Sequence, residues 1–103
     1  MTRGKTSEPS APDEAYEIAE GTLAFYSDAM HVQTSLYSAE LYFGDLRGPN
    51  QKPLLRAKIK VSPQMLKAIS LLTQKHVKDY EGAIGPIVLP KDLLHSWGLE
   101  DLV

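Results

Sequence analysis

The chain contains no cysteine. That excludes disulfides and thiolate metal ligands, and nothing demands an oxidising compartment, so a cytoplasmic location is the expectation. An excess of basic charge is missing too. Eleven Lys and Arg stand against 13 Asp and Glu, for a net charge of -2. A phosphate backbone would find no global positive field, which disfavours nucleic acid as a partner. No apolar run approaches the roughly 18 to 20 residues that cross a bilayer. Arg3 and Lys5 are followed by no apolar stretch, so no signal peptide is expected.

Catalytic and ligand-holding patterns are also lacking. The three histidines, His31, His76 and His95, have no His or carboxylate partner at metal-ligand spacing. His76 falls on the apolar face of a helical pattern, where a core or interface histidine is the plainer account. Ser96 follows His95, but sequence neighbours do not face each other. No G-x-S-x-G motif or phosphate-cradling glycine loop occurs. Asp28, Glu40 and Asp45 are scattered, and nothing separates an acid from a base among them. The sequence therefore points away from an enzyme and assigns no catalytic residue, no cofactor and no metal.

What is present fits one domain. The 103 residues are 43% hydrophobic and 23% charged, ordinary for a globular fold. Residues 1–13 are Thr, Ser, Pro, Gly and charge without periodicity. They bury too little to offset ordering entropy. A division follows: a flexible tail over 1–15, an α+β core over 16–82 and an apolar C-terminal arm over 83–103. Glu14, Ala15, Glu17, Ala19 and Glu20 favour a short helix, which Gly21 and Thr22 interrupt.

Strand formers begin at Leu23. Val32, Thr34 and Leu36 alternate on one face, then Ala39, Leu41 and Phe43 on one face. The first set is even-numbered and the second odd. One straight strand cannot carry both on the same side, because its side-chain period is two. A turn near Tyr37-Ser38 between two antiparallel strands is the preferred solution, and a single bulged strand is the alternative. Gly48-Pro49-Asn50 marks the next turn. Leu55, Ala57, Ile59 and Val61 then alternate with Arg56, Lys58 and Lys60, a half-buried strand.

Ser62 is positioned to cap a helix, and Pro63 suits the first helical turn. Met65, Leu66, Ile69, Leu72, His76 and Tyr80 recur at helical spacing, with Gly82 as the expected stop. About 18 helical residues span roughly 27 Å. Eight strand residues span roughly 26 Å. The match predicts a helix lying back along the sheet. The fold class expected is α+β: three or four antiparallel strands, one long C-terminal helix packed on one face, and an extended proline-bracketed arm.

Two surfaces invite partners. Arg56, Lys58 and Lys60 form a basic row, with Tyr37 and Tyr42 as stacking surfaces for an anion or RNA. A solvated face whose charges protect a sheet edge is the preferred account. The arm holds Ile87, Val88, Leu89, Leu93, Leu94, Trp97 and Leu99, too apolar for a free tail. It either folds back or crosses to a second subunit, and the second is preferred. Asp92 to Trp97 suggests one helical turn closed by Gly98.

Several blocks together resemble a small prokaryotic family known only as a domain of unknown function (DUF thirty-four-sixty-seven). They are Tyr26-Ser27-Asp28, Val32-Gln33-Thr34, Leu41-Tyr42-Phe43-Gly44, Ile59-Lys60-Val61-Ser62-Pro63-Gln64 and Tyr80-Glu81. The resemblance covers about residues 23–90. It departs at Ser38 to Glu40, where an acidic-aromatic pair is usual, and at Met65-Leu66, where small or polar residues often stand. It implies a fold and no activity. The helix, glycine and Pro86-Ile87-Val88-Leu89-Pro90 run is similar to the end of the export chaperone SecB, over about a quarter of the chain. That chaperone assembles as a tetramer, and the similarity implies apolar grooves that hold unfolded segments. The expected function is a homo-oligomeric, non-enzymatic protein-binding or assembly protein. A SecB-like chaperone is the alternative, and a nucleic-acid module ranks third.

Overall fold

The computed structural model describes residues 12–103. Most of the expected flexible tail, residues 1–11, lies outside them. Its last four residues form a short helical turn instead, α1 (Pro12–Ala15). The stretch after it is not helical up to β1. Three strands follow, β1 (Ala29–Thr34), β2 (Ala39–Asp45) and β3 (Leu54–Val61), and then the helix α2 (Pro63–Ala83). A short helix, α3 (Lys91–Ser96), and a 3-10 turn at Glu100–Leu102 complete the chain. The strands form one antiparallel sheet in the order β1-β2-β3. The α+β class is thus observed.

The parity change identified above is a hairpin. Ser35 N–H donates to the Ser38 carbonyl at 2.8 Å, leaving Leu36 and Tyr37 as the loop. No residue other than glycine has a positive φ among the described residues. The loop is therefore not the type I′ turn that two-residue hairpins favour. The register sets Val32 beside Leu41 and Leu41 beside Ile59. Directly paired residues share a face. Met30, Val32, Ala39, Leu41, Phe43, Ala57, Ile59 and Val61 therefore make the apolar face. Ala39 and Leu41, on the central strand, are the buried hydrophobic residues among those described, at 2% and 6% exposure.

A bulge corrects one row. Phe43 pairs with Ala57, but Gly44 pairs with Leu55. The extra residue, Arg56, breaks the alternation there. Leu55 therefore leaves the face of Ala57, Ile59 and Val61. Gly44 permits the close approach: a Cβ at that position would overlap the Leu54 carbonyl oxygen.

The strand-to-helix junction follows the sequence. Ser62 is extended and its hydroxyl accepts from Met65 N–H at 3.1 Å, with Pro63 in the first turn. The far end differs. Gly82 does not stop α2, which runs to Ala83; Ile84 N–H caps it by donating to the Tyr80 carbonyl. One glycine within a helix costs only about 1 kcal/mol. The stop is Gly85, at φ +155°, followed by Pro86. Lys75 and Lys78 therefore lie before the last turn, which has no basic residue.

Partial burial on the helix is confined to its first two turns. No α2 residue is buried. Leu66 and Ile69 are half-buried, and every residue from 70 to 83 is exposed. Matched lengths allow a helix to lie on a sheet but do not turn it back. Ser62 alone links β3 to α2, shorter than the two to six residues usual between a strand and its returning helix.

Candidate functional site: a cleft between the β1 edge and the C-terminal arm

β1 is an edge strand with one side unpaired. The Ser35 to Ser38 hydrogen bond sets the phase of the hairpin ladder. In that phase Gln33 faces Glu40 and His31 faces Tyr42 as hydrogen-bonded pairs. The backbone groups of Met30 and Val32 then point outward, away from β2. Among the described residues none hydrogen-bonds to them.

The start of β1 is held by side chains. Gly44 carbonyl accepts from Ser27 hydroxyl at 2.7 Å and from Asp28 N–H at 3.2 Å. Asp28 Oδ1 accepts from Leu46 N–H at 2.8 Å. These bonds join residues 27–28 to the end of β2 and fix where the free edge begins.

The opposite wall is the arm. Pro90 N-caps α3 with extended backbone, so Leu93 and Trp97 lie one turn apart on it. Gly98, at φ +68°, then reverses the chain. Its N–H donates to the His95 carbonyl, and Leu99 N–H donates to the Leu94 carbonyl at 2.8 Å. This is a Schellman stop, which brings Leu99 back beside Leu94. The result is a cleft of about 870 Å³. Ala29, Met30, His31 and Val32 line one side; Pro90, Leu93, Trp97 and Leu99 line the other. Trp97 is 44% exposed.

Of the expected arm residues, Leu93, Trp97 and Leu99 meet at the cleft, and Leu94 is half-buried and does not line it. Ile87, Val88 and Leu89 are exposed and do not line it. Ile87 N–H instead donates to Glu81 Oε2 at 2.9 Å, which fixes the linker to the end of α2. Within the single chain the arm therefore turns towards its own β1.

The basic row divides. Lys58 and Lys60 pair with Tyr42 and Glu40 on the polar face. Lys58 Nζ lies 5.3 Å from the Tyr42 ring, and His31 meets that ring edge-on. Tyr42 hydroxyl donates to Gln33 Oε1 at 2.9 Å. Arg56, at the bulge, binds Asp45 Oδ2 at 2.8 Å and covers the Phe25 ring at 4.7 Å. Tyr37 is at the hairpin loop, away from Tyr42. The three cations are thus interleaved with carboxylates and rings rather than presented as one field.

Sequence spacing missed a His–carboxylate contact. His95 Nδ1 lies 3.3 Å from Glu100 Oε1, both well exposed. The Gly98 reversal produces it, and a fixed-spacing search on one helix cannot. Among the described residues no group of three or more metal-ligating side chains comes together. No helix among them is long and apolar enough to cross a membrane. Compared with known proteins, the chain matches no family model, no curated protein and no solved structure.

Proposed function

We propose that this chain is a non-enzymatic protein-binding or assembly protein that acts as a homo-oligomer. The cleft between the β1 edge and α3 carries that reading. One wall offers outward N–H and C=O groups at Met30 and Val32, and the other offers Leu93, Trp97 and Leu99. An extended polypeptide needs both. Its backbone would pair with the free edge, and alternate side chains would enter the apolar wall. Specificity would come from the arm, and register from the edge.

The test has two parts. Amide shifts of the labelled chain are followed as an unfolded polypeptide is added. Movement at Met30 and Val32, lost when residues 85–103 are deleted, is the expected result. Molar mass is measured at micromolar concentration. A stable monomer whose β1 amides ignore the polypeptide overturns the proposal.

The apolar lining also favours a second reading, a holdase chaperone in the manner of SecB. It predicts that many unfolded clients bind with little sequence preference. Binding restricted to one sequence class would dismiss it in favour of a dedicated assembly partner.

A further inference from the structure

We infer that the polypeptide taken by the β1 cleft is basic: an extended segment of alternating apolar residues with an arginine or lysine next in the alternation. This rests on the edge-pairing reading above and names the chemistry of its partner.

The first argument is charge. Asp28 lines one wall of the cleft and Asp92 the other, and no lysine or arginine lines either. The cations next to lining residues do not offset them. Arg47, beside Leu46, donates its Nε–H to the Lys52 carbonyl at 2.9 Å. Lys91, beside Asp92, does not line the cleft. His31 does, but its side chain shares the polar face with Tyr42 and meets that ring edge-on. A cleft walled by one sign of charge concentrates the opposite sign.

The second argument is what the carboxylates still lack. Asp28 Oδ1 already accepts from Leu46 N–H at 2.8 Å. On the arm wall, Ser96 donates its hydroxyl to the Asp92 carbonyl at 2.7 Å. Among the described residues none bonds to the Asp92 carboxylate. It is the acceptor that the arm wall keeps for a ligand.

The third argument is the neighbour. Trp97 lines the same wall and is 44% exposed. An indole face attracts a cation, and a guanidinium can stack on it while it binds a carboxylate. An acidic side chain would meet two like charges instead. The backbone of an edge strand selects no sequence, so these side chains would do the selecting. A strand paired with β1 sets alternate residues on the face of Met30 and Val32. Asp28 stands two residues before Met30, which puts the basic residue two positions from an apolar one.

The test uses the full chain with labelled amides, read at Met30 and Val32. The probes are the peptide Arg-Thr-Val-Thr-Val-Thr-Arg, which serves either strand direction, and its counterparts with Gln or Glu in place of Arg. The Arg peptide should bind about fivefold tighter than the Gln peptide, and the Glu peptide most weakly. Salt should narrow the gap. Asp92→Asn, at an exposed position, should cut the Arg preference to about twofold with the far-ultraviolet spectrum kept. Equal affinity for the three peptides, or an Arg preference that Asp92→Asn leaves whole, overturns the basic partner and spares the edge reading. Amides that ignore every peptide overturn both.

Discussion

β2 and α2 obey equally clear periodicity rules and reach opposite outcomes. β2 has a neighbour on each side, and its alternate residues Ala39 and Leu41 are the buried hydrophobic pair. α2 is three times as long and has no buried residue. A strand is completed by its neighbours, which supply both hydrogen bonds and cross-strand side chains. A helix satisfies its own backbone, so it can form before anything covers its stripe. Periodicity therefore specifies that a face is apolar. It does not specify which surface, on which chain, will cover it.

Substitutions in the two regions should separate them. Gly44→Val is expected to cost most, about 3 kcal/mol, because the new side chain meets Leu54 backbone at the bulge. Denaturant unfolding would measure it, and a loss below 1 kcal/mol would mean the bulge relaxes freely. Leu41→Ala should follow at about 2 kcal/mol, at the low end for buried leucine because this core is thin. Its cost should not vary with protein concentration. Leu72→Ala on α2 should cost less, under about 1 kcal/mol, because Leu72 is already 45% exposed. Equal costs for the two would erase the distinction between the regions.

Smaller effects sharpen the comparison. Ser62→Ala removes the cap at the joint between sheet and helix and should cost about 1 kcal/mol. Hydrogen exchange at Met65 should rise most, with β2 amides unchanged. Arg56→Ala should cost least, under about 1 kcal/mol, since the pair with Asp45 is partly solvated. A double-mutant cycle with Asp45→Ala isolates that pair.

Local chemistry made much of the fold legible. Ser62-Pro63 fixed the strand-to-helix joint, and the switch from Val32 and Thr34 to Ala39 and Leu41 placed the hairpin. Gly98 marked the end of α3. What stayed hidden was long-range. The bulge that displaces Leu55 depends on pairing with Gly44 across the sheet. Gly82 was a plausible stop, but Gly85-Pro86 is the stronger one. The exposed second half of α2 follows from a one-residue connection, which equal lengths could not reveal. Of the candidate site, the arm was readable as an unusually apolar ending. Its approach to the β1 edge was not, since no local pattern joins residues 29–32 to 93–99.

The lone indole of Trp97 stands at the mouth of that hollow. The molecule thus carries its own fluorescent reporter in the hollow that the proposed polypeptide would fill. Excited selectively at the red edge of absorption, it should emit at shorter wavelength as the hollow fills. The five tyrosines would stay silent at that excitation. Occupancy could then be followed in unlabelled protein, in real time, without attaching any dye.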